Sequence, residues 1–289
     1  MLAIILDVLI QGILLGGLYA LFATGLSLIF GVMRLVNIAH GDFIVLAAFV
    51  ALVAVQALGI HPLLALVVVV PLMFALGYAL QRLILNRTLG GDILPPLLVT
   101  FGLSIVVQNG LLELFSGDSR RLQAGWLDGA SLRSGGDLAV GVFPLLILGA
   151  AVAVIAGLQF MFFRTELGRV FRATSDDRTT VQLMGVRNDH VNALAMAIAL
   201  GVVGVAGVFL AIRTNFDPSI GPGRLLYAFE AVIIGGLGSL WGTPAGGTIL
   251  GIAQSVGARI DPGWQILMGH LAFLVVLVFR PSGLFPRMQ

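Results

Sequence analysis

The sequence predicts an all-α integral membrane protein, a polytopic bundle of about 8–9 transmembrane helices with one broken, glycine-rich segment near 235–251. Composition and pattern carry that expectation. Of the 289 residues 58% are hydrophobic and 10% are charged, whereas a soluble domain carries about 25% charged residues; the mean hydropathy is +1.06. The apolar runs are continuous and close to the ~20 residues that a helix needs to cross hydrocarbon, where a barrel would show shorter segments of alternating polarity. Only two polar stretches are long, 116–141 and 164–190. Residues 1–289 therefore read as a single membrane domain with no soluble enzymatic domain attached.

The first span is expected over 8–32. Its opening, "MLAIILDVLIQG", lacks a positive n-region and runs on without a cleavage site, so it reads as a retained span rather than a signal peptide. Gly12, Gly16, Ala20, Ala23, Ser27 and Gly31 recur at steps of three and four, a small-residue stripe that lets another helix approach closely. The second span, 38–58, is entered through "LVNIAHGDF". There Asn37 is suited to cap the helix and Asp42 stands near its positive end. His40 and Asp42 read either as capping and interfacial groups or as lining the inner mouth of a transport path. Spans at 63–83, 93–115, 142–163 and 191–212 follow, the last with Gly201, Gly204 and Gly207 as a second packing stripe.

Three shorter segments close the chain at 225–240, 243–258 and 264–279. Between the first two lies "GGLGSLWGTPAGGTILG", with glycine at seven of seventeen positions and Pro244 in the middle. Glycine costs ~1 kcal/mol and proline ~3 in a helix interior, so a continuous helix is not expected here. Gly235, Gly236 and Gly238 read equally as lining a wet path or as a re-entrant packing turn. Glu230 lies inside an apolar run. Such a group faces the bundle interior or water; a hydrogen bond to a neighbouring helix is one reading, and a gate or path residue the other. His270, flanked by apolar residues, reads as a helix–helix hydrogen bond.

Several chemistries are excluded. There is no cysteine, and all 16 basic residues are arginine; without lysine there is no Walker A loop. Neither H-E-x-x-H nor G-x-S-x-G occurs, so no enzyme, metal or cofactor is expected. The high pI, about 9.7, reflects topology-setting arginines rather than nucleic-acid binding. If 164–190 is cytoplasmic, the arginines divide ten inside, Arg287 among them, to six outside, among them Arg120, Arg121 and Arg224. The positive-inside rule then places the N-terminus outside and the C-terminus in the cytoplasm.

The cytoplasmic stretch reads as two short helices. Leu167, Val170 and Phe171 form one apolar face, Ser175 is the expected N-cap of the next helix with Asp176 and Asp177 in its first turn, Val181 and Met184 form a second face, and Gly185 is the stop. Two capped helices presenting arginines and apolar groups favour docking to a soluble partner over a merely solvated loop.

Three motifs in order carry a resemblance: "GLSLIFGVMRLVNIAHGDFIVLAAFVA", "ELGRVFRATSDDRTTVQLMGVRNDHVNALA" and "AFEAVIIGGLGSLWGTPAGGTILGIAQ", with similarity running to "RPSGLFP". Together they resemble the permease subunits of branched-chain amino acid ABC importers, a family that also includes urea and short-chain amide permeases. The resemblance implies a bacterial cytoplasmic (inner) membrane location and four kinds of partner: two ATP-binding subunits, a second homologous permease, an external substrate-binding protein and membrane lipid. It implies that the 164–190 segment seats on the ATPase, which makes Glu166, Gly168, Arg169, Phe171, Arg172, Met184 and Gly185 the candidate coupling residues. His40, Asp42, Glu230, Gly235, Gly236 and Gly238 are the candidates for the substrate path. The rival readings are a urea or amide permease and an ion-coupled secondary transporter using Glu230.

Overall fold

The structure is a computed structural model that describes residues 2–89, 92, 94–134 and 138–285. The expected helix start at 93, Arg287 and Pro286, the last residue of the final motif, lie outside the described residues. Continuous apolar runs produce the long helices. α1 (Leu2–Met33) is followed by α2 (His40–Leu58), α3 (Leu66–Leu83) and α4 (Leu94–Phe115). The outer polar stretch forms a short helix, α5 (Trp126–Gly129), and an antiparallel hairpin of β1 (Ser131–Ser134) and β2 (Leu138–Gly141), with Ser131 opposite Gly141. Then come α6 (Val142–Arg164), α7 (Glu166–Asp176), α8 (Arg178–Leu183), α9 (Asn188–Arg213), α10 (Gly221–Gly235), α11 (Gly242–Ile260) and α12 (Trp264–Phe279). Proline lies inside α3, at Pro71, and in the first turns of α4 and α6. Six helices, α1, α2, α3, α4, α6 and α9, are long and apolar enough to cross a membrane by length and composition.

The packing has an internal two-fold logic. α1 packs most extensively on α11, and α9 on α3; α2 lies on α9, α10 lies on α1, and α2 meets α10. The set α1–α4 thus matches α9–α12 with opposite sense. α1 ends beside α7, where Ser175 Oγ donates to the Gly31 carbonyl at 2.6 Å. α9 begins beside α8, where Asn188 Nδ2 donates to the Arg178 carbonyl, and ends at the other end of the bundle, where Arg121 Nε donates to the Ile212 carbonyl. α9 is the central helix, with 89% of its apolar window buried against 17% for α4.

After α1 and after α9 the chain doubles back. Met33 closes α1, yet His40, the first residue of α2, donates from Nε2 to the carbonyl of Phe22 at 2.8 Å. Residues 34–39 therefore return alongside the last three turns of α1 before α2 begins. Likewise Arg213 closes α9, Phe216 packs edge-on against Phe49, and α10 starts deeper still, at Gly221 against Asp42. α2 and α10 both begin part-way along the bundle axis rather than at its end. Residues 34–39 and 214–220 cover that distance as irregular chain, each closing with a turn just before its helix starts, at Ile38–Ala39 and Pro218–Ser219. The reversal is tolerable because it is buried in protein rather than in lipid.

Small residues make these contacts. A Cβ on Gly16 would stand 2.6 Å from the Thr248 Cα, and one on Gly12 2.6 Å from that of Ile252, so the stripe on α1 seats α11. Gly207 on α9 does the same for α2 at Ala47. In the glycine-rich segment the break is confined to residues 236–241, and α11 runs on through Pro244 and three more glycines. Pro244 is the third residue of α11, where its missing N–H is an orphan in any case. Gly246 and Gly251 meet the backbones of α10 and α1, so close approach offsets the poor helix propensity. α10 accordingly starts four residues earlier than position 225 and stops at Gly235, because Gly236 takes a positive φ of 109°.

Candidate functional site

Two groups of residues stand out. The first is the crossing of the two interior helix starts. Gly41 and Gly221 face each other: a Cβ on Gly41 would overlap the Gly221 carbonyl, and one on Gly221 would overlap Asp42 Oδ1. Asp42 is thus at the N-terminal end of its own helix and against the first residue of α10, where both helix dipoles favour an anion. Ser104 Oγ of α4 donates to its Oδ2 at 2.5 Å, and Gln108 Nε2 donates to Oδ1 at 3.4 Å. Asp42 is 1% exposed and His40 0%. An interfacial, solvated role for the pair is therefore corrected. They sit in the interior because the 34–39 segment carries them there. Asn37 Oδ1 accepts from the Ala39 N–H at 3.1 Å, fixing the turn that precedes α2 rather than capping the helix itself.

On the opposite repeat, Glu230 of α10 accepts a hydrogen bond from His270 Nδ1 of α12. The structure brings these two residues together. Asp42 with Ser104, near the start of α2, and Glu230 with His270, in the second half of α10, each tie an interior-starting helix to the fourth helix of its own repeat. Glu230 is 2% exposed, and its Oε2 accepts no hydrogen bond among the described residues. A polar wall continues from it. Tyr227 lies 6.5 Å from His270 and 5.1 Å from Tyr19, ring centre to ring centre, and Tyr19 Oη donates to Gln254 Oε1 at 2.5 Å. The guanidinium of Arg224 lies over the Tyr227 ring at 5.9 Å. The assignment of Arg224 to an outer loop is corrected: it is in the first turn of α10, inside the bundle. Its signal was legible, since two prolines and two glycines (Pro218, Gly221, Pro222, Gly223) followed by an apolar run mark an interrupted helix, and an arginine there carries functional weight.

Gly235, Gly236 and Gly238 form the α10–α11 turn. Gly235 meets Gly242 backbone to backbone, and Gly238 meets Gly31 at the end of α1, where a Cβ on Gly238 would stand 3.2 Å from the Gly31 Cα. They lie at the end of the bundle that carries α7 and α8, not at the crossing.

The second group is the α7–α8 knob. Thr165, not predicted, caps α7 by accepting from the Gly168 N–H at 3.2 Å. Gly168 allows α7 to fold back on the carbonyls of Met161 and Phe162. The cap of α8 is Asp177 rather than Ser175; its Oδ1 accepts from the N–H groups of Thr179 and Thr180 at 2.9 and 3.1 Å. These bonds, the Thr180 hydroxyl first, pull the Asp177 carboxyl below the ordinary aspartate value. Ser175 and Asp176 belong to α7, because Ser175 is spent on α1. Arg178 donates to the Met33 carbonyl at 2.6 Å, and burial, then the Arg34 charge, lowers its pKa.

Phe171, expected to face outward, is 1% exposed and packs on Phe162 at 5.5 Å; the apolar side of α7 closes on α6. Met184 is 79% exposed and its neighbour Leu183 is 85% exposed. Gly185 ends α8 with φ 87°. Glu166 and Arg169 pair at the surface at 3.3 Å, and Arg172 lies over the Phe163 ring at 5.2 Å. Between the knob and the α10–α11 turn is a cavity of about 800 Å³, walled by Ser27, Gly31, Phe171, Arg172, Gly238 and Trp241 among others.

The family model for the branched-chain amino acid transport system / permease component matches residues 8–278. The chain belongs to that family. Its relatives include the high-affinity branched-chain amino acid transport system permease protein BraD of Pseudomonas aeruginosa, 30% identical over 98% of this chain and 96% of the relative. The corresponding protein LivH of Salmonella typhimurium is 27% identical over 96% and 94%. A probable branched-chain amino acid transport permease LivH of Methanocaldococcus jannaschii is 26% identical over 84% and 78%. No solved structure matches significantly.

Proposed function

We propose that this chain is a membrane-spanning subunit of a binding-protein-dependent importer that carries leucine, isoleucine and valine across the bacterial cytoplasmic membrane. The observation that carries this reading is the family match over 8–278, together with end-to-end similarity to BraD. Residues 1–289 act as one membrane domain with nine membrane-inserted helices: the six long ones plus α10, α11 and α12. The N-terminus lies outside and the C-terminus in the cytoplasm; moving Arg224 into the bundle widens the arginine bias that supports this orientation. The partners are two ATP-binding subunits, a second homologous permease and an external binding protein. The ATPase seats on the knob, where Leu183 and Met184 are exposed, beside the cavity under Arg172 and Trp241. Glu166, Arg169 and Arg172 supply polar contacts at that seat, while Gly168 and Phe171 hold α7 in place. Substrate passes beside α10, whereas His40 and Asp42 hold the interior crossing together.

Purification of the tagged chain in mild detergent tests this reading. ATP-binding subunits and a second permease should copurify, and mass spectrometry of the cognate binding protein should find a branched-chain amino acid. A chain that purifies without an ATPase, or a binding protein loaded with urea or an amide, contradicts it.

A further inference from the structure

A polar strip runs along α10 and α12: Arg224, Tyr227, and Glu230 with His270. Its depth follows from Tyr19, which stands midway along the 32 residues of α1 and whose ring is 5.1 Å from that of Tyr227. Tyr227 is therefore at the middle of the bundle. Arg224 is one turn to one side of it and Glu230 one turn to the other, each about 4.5 Å along the axis at 1.5 Å per residue. Among the described residues the Arg224 guanidinium has no carboxylate partner, and its buried Nε has no hydrogen-bond acceptor; only the Tyr227 ring lies under it. Glu230 keeps one oxygen without a donor. An arginine and a glutamate at this depth face a bundle interior or water, not lipid. Yet the strip is not closed within this chain. Arg224, Tyr227 and His270 are half-buried, and Leu226 on the same stretch of α10 is 46% exposed.

We propose that this strip is the substrate-facing wall of the translocation path: Arg224 meets the carboxylate of a passing amino acid, the Glu230–His270 pair meets its ammonium, and the second permease closes the opposite side. The inference rests on the function proposed above and names the residues that serve it. A cation and an anion one turn either side of an aromatic ring match the two charges of a zwitterion. They leave the exposed apolar flank at Leu226 for its aliphatic side chain. The charges are spread over two turns rather than clustered, so they guide a transient solute without trapping it. Tight binding is left to the external protein.

The test uses the whole importer reconstituted with its partners. The chain has no cysteine, so Leu226→Cys supplies a single thiol in it, and Val152→Cys on α6, 59% exposed, supplies a lipid-facing control. Charged methanethiosulfonate reagents react with a thiolate, which forms only in water. Leu226→Cys should be labelled in the assembled importer and Val152→Cys should not. In parallel, Arg224→Gln should lower leucine uptake at least tenfold while ATP hydrolysis stimulated by the loaded binding protein stays within twofold of wild type; Arg224→Lys should recover part of the uptake. An unlabelled Leu226→Cys, or wild-type uptake in Arg224→Gln, overturns the proposal. If Arg224→Gln does not assemble, as size-exclusion chromatography would show, the labelling and Arg224→Lys decide. A wild-type importer that moves only an uncharged solute sinks the function itself, whereas normal leucine uptake by wild type and Arg224→Gln alike sinks only the strip.

Discussion

Truncating Leu183 and Met184 together separates docking from packing at the knob. Both side chains are largely exposed, at 85% and 79%, and surface substitutions usually change stability by no more than about 0.5 kcal/mol either way. The permease should therefore fold and melt as wild type. If the ATPase buries them, each contributes about 1.5 kcal/mol at the low end of side-chain burial, about 3 together, or roughly 100-fold in Kd. Phe171→Ala is the contrast. Phe171 is 1% exposed under α7, so its loss leaves a cavity and costs about 3–5 kcal/mol of local stability, loosening the knob rather than removing a contact. The assay is equilibrium binding of purified ATPase to permease in nanodiscs, with hydrogen exchange over 166–183 in parallel. The expected pattern is weak binding with native protection for Leu183→Ala/Met184→Ala, and lost protection for Phe171→Ala. Unchanged affinity in the double variant would refute the docking surface.

Gly221→Ala should lower the melting temperature or prevent assembly, because its Cβ overlaps Asp42 Oδ1 and overpacking costs about 1–3 kcal/mol or more; Gly149→Ala, in open space on α6, should be neutral or stabilising in the same melt. Asp42→Asn removes the negative charge shared by two helix starts and should cost up to ~2 kcal/mol, read as a drop in detergent thermal stability that Ser104→Ala partly reproduces. Asp177 has a depressed pKa, so its cap stabilises α8 at neutral pH, and the effect is lost as pH falls through that value, below the about 3.9 of a free aspartate. Hydrogen exchange of 178–183 should then separate wild type from Asp177→Ala at pH 7, with the difference shrinking as the pH is taken down through the acid range.

The class and most of the helices were legible because lipid imposes a simple code of long apolar runs, and the small-residue stripe of α1 is where α11 packs in the structure. What the sequence concealed was depth. Nothing local to "VNIAHGD" shows that residues 34–39 travel back along α1; that depends on Phe22 and Gly25 offering a carbonyl and a gap eighteen and fifteen residues earlier. The same ambiguity placed Arg224 in a loop. Pairings between distant helices, Asp42 with Ser104 and Glu230 with His270, were equally invisible, since each partner alone looks like an isolated polar residue. Phe171 misled for another reason: a helical apolar face is legible, but whether it turns to the bundle or to a partner is set by Gly168, which lets α7 fold onto α6.

The most direct measurement is leucine uptake into proteoliposomes holding this chain, its sister permease and the ATP-binding subunits, with loaded binding protein outside. The account predicts uptake only when ATP is supplied to the ATPase side, and none when the ATP-binding subunits are omitted, whatever the proton gradient. Uptake by the chain on a proton gradient alone, without ATP or ATPase, would contradict it.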